Sequence, residues 1–318
     1  MKTETVYIRF LKEIERHLPK KTKRTNILAD ILSIGKEAVY RRLRGEVPFT
    51  FNEIILLSNR LNISIDNIAG ITSEQSRPLQ LKISEFIEPF DIDYKMFEEY
   101  IDVLESAQAE SSMLVEATNM IPQAIYYRYE LICKFFYFKW NYHYNQCNKT
   151  FEDINLTPRI KKIQNQVMLA AKKIHSTTYI WDPLIIQYLV SDILFCQRMR
   201  LICDKNVASI KQELYNLMNY LEHLAQNGMY TETHKKVHIY ISSISIDTSY
   251  LYLKTPKYNI SLIKAFILNG IASYDDLTNE KTKKWIQSLI KTSTLISICG
   301  EKQRISFFDK QRKWIDQL

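Results

Sequence analysis

Asn26-Ile-Leu-Ala-Asp-Ile-Leu32, Ser33-Ile-Gly35, Lys36-Glu-Ala-Val-Tyr-Arg-Arg-Leu-Arg44-Gly45: this stretch reads as two short helices joined by a three-residue turn. Ile27, Leu28, Ile31 and Leu32 recur at helical spacing and give the first helix one apolar face, with Thr25 as its expected N-cap. Ser33-Ile34-Gly35 is too short for anything but a tight turn. In the second helix Val39 and Leu43 lie one turn apart on the inner face, and Gly45 supplies a C-terminal stop. The outer face is then Lys36, Glu37, Tyr40, Arg41 and Arg44.

Upstream, Val6, Phe10, Leu11, Ile14 and Leu18 predict a helix over about residues 4–18, ended by Pro19 and followed by a basic linker, Lys20 to Arg24. Downstream, Thr50-Phe-Asn-Glu53 is a capping box that opens a helix with Ile54, Leu57 and Leu61 inward. Ser64 caps a last short helix to Ala69, closed by Gly70. Five short helices, the second and third around a tight turn with basic and aromatic groups outside, is helix-turn-helix arithmetic. The charge agrees. The chain carries a formal net charge of +8, and residues 16–44 hold nine cations against two anions, so almost the whole excess sits where phosphate binding needs it.

The stretches Asn26 to Leu32, Ala38-Val-Tyr-Arg-Arg-Leu-Arg-Gly45 and Asn52 to Ala69 resemble the lambda repressor-like (Cro-type, XRE) helix-turn-helix family over about residues 4–70. Ala29 matches the small residue where the two motif helices pack, Val39 the inward aliphatic of the recognition helix, Arg44-Gly45 the end of that helix, and Leu57 to Ile68 the core of the last two helices. The resemblance implies an all-helical DNA-binding domain that acts as a dimer. It places Lys36, Glu37, Tyr40 and Arg41 where base edges are read, and Thr25, Asn26 and Arg44 where phosphates are gripped. Tyr40 stands where a small residue is more usual, so its ring is expected to pack on a sugar or a thymine methyl. Lys20, Lys21, Lys23 and Arg24 would add phosphate affinity without sequence information.

Residues 71–79 are polar and breaker-rich, as a linker is. The remaining 80–318 predict an α-rich domain with a small antiparallel sheet, so the chain as a whole is expected to be mainly α with an α+β second domain. Helices are predicted near 92–107, 122–144, 157–175, 183–200, 206–227, 279–297 and 301–317, and strands at 113–118, 237–241, 250–252 and 265–274. Ten aromatics between Tyr126 and Tyr144 point to a helix buried between layers more than to a ligand box. After residue 70 the charge is nearly balanced, 30 cations to 27 anions, which gives no cause to expect a second nucleic-acid surface. This part is expected to dimerise the protein and to sense a small-molecule or peptide effector.

Several classes of function drop out. Six scattered glycines write neither a G-x-G-x-x-G turn nor a phosphate-cradling loop. Five cysteines form no C-x-x-C pair, and His234 and His238 have no third ligand nearby, so neither a metal nor another cofactor is expected. Ser249 lacks the elbow of a hydrolase nucleophile, and no enzyme is expected. The longest run without Asp, Glu, Lys or Arg is Ala117 to Tyr127, too short to cross a bilayer, and the N-terminus lacks a secretory core; a cytoplasmic protein is expected. The reading is a bacterial-type, sequence-specific transcriptional regulator that binds double-stranded DNA as a homodimer. The alternatives are a protein-interaction module that docks a partner through the same helices and, third, an enzyme domain fused to a DNA-binding one.

Overall fold

Thr5 opens the first helix, α1 (Val6–His17), by accepting from the Ile8 amide, and Phe10 and Ile14 turn inward. It is followed by α2 (Lys21–Leu32), α3 (Lys36–Leu43) and α4 (Phe51–Leu61). The computed structural model describes residues 5–18, 21–61, 63–65, 68, 80–82, 84–86, 88–144, 149–256 and 258–318, with the backbone alone for 21–23 and 80–82. The chain divides into two compact units, Met1–Pro78 and Leu79–Leu318. Residues 71–79, read as the linker, lie outside the described residues, as does most of the fifth short helix expected at Ser64–Ala69.

In the first unit Phe10, Ile14, Leu28, Val39, Phe49 and Leu57 form a sealed core, with Phe49 edge-on to Phe10 at a centroid distance of 5.9 Å. The capping box before α4 is present: Glu53 N donates to Thr50 Oγ1 at 3.3 Å, and Thr50 N to Glu53 Oε2 at 2.8 Å. One expectation is overturned. Residues 21–24 are not a linker but the first turn of α2, so Thr25 lies within the helix, buried, and is no N-cap. The physical cause is tertiary: Arg24 donates to the Leu18 carbonyl at 2.7 Å and to Glu15 at 2.9 Å, which ties this turn to the end of α1.

The second unit is an α+β structure. Its elements are β1 (Gln80–Lys82), α5 (Asp91–Ser106), β2 (Met113–Thr118), α6 (Gln123–Tyr126), α7 (Glu130–Tyr144), α8 (Pro158–Ala171) and β3 (Ser176–Trp181). Then come α9 (Ile185–Arg198), α10 (Asp204–Asn227), β4 (Lys236–Ile241), β5 (Tyr250–Lys254), β6 (Asn259–Lys264), β7 (Gly270–Ser273), α11 (Asp276–Thr292), β8 (Thr294–Leu295) and α12 (Glu301–Ile315). The strands form one sheet in the order β1-β7-β6-β5-β2-β3-β4-β8. It is larger than expected, and mixed where an antiparallel sheet was anticipated: β2, β3 and β4 run parallel, because helical crossovers join them, and the other pairs are antiparallel.

Strand pleating sorts the side chains. Val115, Ala117, Ile180 and Tyr252 point to one face, where Ile286 and Leu289 of α11 cover them. Phe135, Phe136, Tyr137, Phe138 and Trp140 of α7 are buried in the main core, which also takes in Leu114 and Tyr179 from the sheet. The helix expected over 122–144 is broken at residues 127–129, and the carboxylate of Glu213 caps its second piece by accepting from the amides of Leu131 (2.9 Å) and Ile132 (3.0 Å). No described helix is long and apolar enough to cross a membrane.

Candidate nucleic-acid interface

The turn between α2 and α3 is held by Ser33 in the left-handed region (φ 53°) and by the Ile34 amide donating to the Ala29 carbonyl at 3.2 Å. It delivers α3 with Val39 fully buried and Leu43 packed on the same core. Helical rotation then separates neighbouring arginines. Arg42 turns inward and forks onto Glu53, Nη2 to Oε1 at 2.8 Å and Nε to Oε2 at 3.1 Å. The Tyr7 hydroxyl donates to the Arg42 carbonyl at 3.2 Å and accepts from the Phe49 amide at 3.1 Å, so α1, α3 and the start of α4 share one polar clasp. Burial pushes the Glu53 carboxyl up, but the bonds from Arg42 and Thr50 and the guanidinium charge hold it below its ordinary value.

Lys36, Glu37, Tyr40, Arg41 and Arg44 all lie exposed on the outer side of α3, and Asn26 is exposed on α2. The fold therefore places the four base-reading candidates on one accessible face. The phosphate candidates divide. Asn26 and Arg44 are accessible, whereas Thr25 is 2% exposed and the side chain of Arg24 is engaged with Leu18 and Glu15, so these two hold the fold and do not face a ligand. Lys20, and the side chains of Lys21 and Lys23, lie outside the described residues.

One participant escaped the sequence reading. Gly45 (φ 76°) reverses the chain after α3, and Glu46 comes back beneath the arginines, 3.1 Å from Arg44 and 3.6 Å from Arg41; Arg44 also stands 3.6 Å from Glu37. The signal that could have found it is the left-handed turn that glycine permits there, which folds the next side chain back along the helix. With Arg41 and Arg44 side chains more than half exposed, each contact contributes about 0–1 kcal/mol, weak enough for a phosphate or a base to displace it. Among the described residues no group of three or more His, Cys, Asp or Glu gathers to hold a metal.

Two packed helices around a tight turn, the second presenting a polar, mainly cationic face, define a helix-turn-helix unit. Residues 2–118 match the family model described as the BetR domain, a DNA-binding domain of helix-turn-helix type. The match extends beyond the first unit through β1, α5 and β2. No curated protein and no solved structure matches the chain.

Proposed function

We propose that the chain is a sequence-specific transcriptional regulator of the lambda repressor-like, Cro/XRE type, which lays α3 in the major groove of double-stranded DNA. The observation that carries this reading is the accessibility of Lys36, Glu37, Tyr40 and Arg41 on one side of a helix whose other side is locked by Val39 and Leu43. A groove about 12 Å wide admits such a helix, and outward side chains then meet base edges. Arg41 is the principal reader, because a bidentate guanidinium–guanine pair discriminates by about 1–3 kcal/mol. Lys36 and Glu37 read neighbouring donor and acceptor edges, and the Tyr40 ring packs on a sugar or a thymine methyl. Asn26 and Arg44 hold phosphates, joined by Lys20, Lys21 and Lys23.

The second unit dimerises the protein and senses an effector, and no catalytic step belongs to this reading. A homodimer would set two copies of α3 about 34 Å apart, one turn of duplex. The work is cytoplasmic. The test is selection of bound fragments from random duplex DNA, then titration of the selected site at several salt concentrations. A recovered motif, with affinity falling steeply in salt, supports the proposal. Binding that is salt-insensitive, or indifferent to sequence, refutes it.

A further inference from the structure

The second unit encloses a cavity of about 190 Å³ between the sheet and the helical layer opposite α11. Its walls are largely apolar, with Phe86, Phe97, Tyr100, Tyr127, Tyr137 and Tyr179 among them. Two ionisable groups of opposite sign stand on its floor, Glu116 of β2 and Lys264 of β6. Register brings them to one face: Glu116 pairs with Leu251 of β5, Leu251 pairs with Leu262 of β6, and Lys264 is two residues further along. With β5 between them, their strands are separated by two spacings, about 9–10 Å.

Neither charged end has a salt-bridge or hydrogen-bond partner among the described residues. Burial pushes the Glu116 carboxyl up against the pull of Lys264, and burial, with the Lys139 charge, brings the Lys264 ammonium down against the pull of Glu116. Both residues are half-buried against the cavity, and two charges drawn partly out of water without a close partner are tolerated where something else answers them.

We propose that this cavity binds a small zwitterion, an α-amino acid with an aliphatic side chain, its ammonium on Glu116, its carboxylate on Lys264 and its side chain against the aromatic wall. Size supports the class. A cavity of about 150 Å³ holds a benzene molecule, so this one accepts roughly eight non-hydrogen atoms, the size of valine or leucine, and excludes nucleotides and peptides. The inference deepens the effector-sensing part of the proposed function. Its test measures ligand binding without DNA, so its failure and the failure of the DNA reading are separate results.

The experiment is thermal unfolding and calorimetric titration of the full chain with L-valine, L-leucine, L-tryptophan, isovalerate (carboxylate alone) and isopentylamine (amine alone). L-Valine or L-leucine is expected to raise Tm by roughly 5–10 °C at one hundred times Kd, with tryptophan and both single-charge analogues at least about ten-fold weaker. Glu116→Gln and Lys264→Met should each weaken the amino acid by about ten-fold or more, while Glu116→Gln leaves isovalerate binding undiminished. The proposal is overturned if neither aliphatic amino acid raises Tm at up to about 10 mM, or if either single-charge analogue binds as tightly as the amino acid. The ligand series on the unmodified chain decides this even if a variant fails to fold.

Discussion

Replacing Glu53 by alanine tests whether the clasp beneath α3 holds the candidate recognition helix. The carboxylate makes two bonds to Arg42 and one to the Thr50 amide, and both side chains of the pair are only 16% exposed. Loss of the capping interaction costs about 0.5–2 kcal/mol. Breaking a fully buried ion pair costs about 3–5 kcal/mol, and this one retains some solvent, so about 2 kcal/mol is apt for the stranded guanidinium. Together they destabilise the first unit by about 3 kcal/mol, which for a unit this small is a Tm drop on the order of 12–24 °C. The four tryptophans, Trp140, Trp181, Trp285 and Trp314, all lie in the second unit. Far-ultraviolet circular dichroism should therefore show an early loss of helix in Glu53→Ala while tryptophan fluorescence melts as in the parent. The sign with pH follows from the lowered Glu53 carboxyl: its stabilisation is present above the unfolded value of 4.5 and is lost as pH falls through the lower folded value. Parent and variant should then converge in acid. A variant within about 0.5 kcal/mol of the parent at neutral pH refutes the clasp.

Arg41→Ala and Lys21→Ala should differ in kind. The first relaxes preference at one base pair by about 1–3 kcal/mol, and the second weakens all sequences alike and makes the salt slope shallower by up to about one unit, as competition binding against single-base variants will show. Equal loss of specificity in both contradicts the assignment. Glu46→Gln frees Arg41 from its carboxylate and leaves Arg44 only the 3.6 Å contact to Glu37, so duplex DNA should bind up to about five-fold more tightly in direct titration; weaker binding would mean that Glu46 orients the arginines for contact. Glu152 accepts from the Cys203 amide (3.1 Å) and from Asn206 (2.7 Å) at the start of α10; burial pushes its carboxyl up, and those donors outweigh it and bring it down to about 2. Its stabilisation is present above pH 4.5 and disappears toward pH 2, so Glu152→Gln should flatten the acid limb of tryptophan-monitored unfolding in that window. An unchanged limb excludes the cap.

The first unit was legible because its helices are amphipathic and short-range signals mark their ends: Thr50 and Glu53 find each other within one turn, and Val39 and Leu43 declare an inner face. The start of α2 was not legible, since the bonds from Arg24 to Glu15 and Leu18 that extend it are tertiary. The same limit hides the pairing of Arg24 with Glu15, because a cation in a basic run looks alike whether a carboxylate from another helix claims it or not. In the second unit β3 was missed, as its residues after Ser176 are buried on both faces and show no alternation. Without β3 the parallel centre of the sheet could not be foreseen. Glu116 and Lys264 are far apart in sequence and meet one cavity only through the register of β2, β5 and β6. The aromatic run on α7 was rightly read as core, although Tyr137 also lines that cavity.

A basic window overstates the charge available to DNA unless internal pairs are removed from it. Of the nine cations in residues 16–44, Arg24 is tied to Glu15, Arg42 to Glu53 and Arg16 to Glu13 at 3.3 Å. Lys20, Lys21, Lys23 and Lys36 remain as candidates for the duplex, together with Arg41 and Arg44, whose contacts to Glu46 and Glu37 are exposed enough for a phosphate to displace. Each phosphate neutralised contributes about −0.9 to the slope of log K against log salt, so one bound unit has a limit near −5, whereas the whole window would give about −8. If Lys36 and Arg41 spend their charge on bases, the slope falls toward about −4 per unit. A measured slope beyond about −6 per unit would mean that DNA pulls Arg24 or Arg42 from its carboxylate. Such a step would loosen the contacts that position α3, so steep salt dependence and loss of helix on binding would have to appear together.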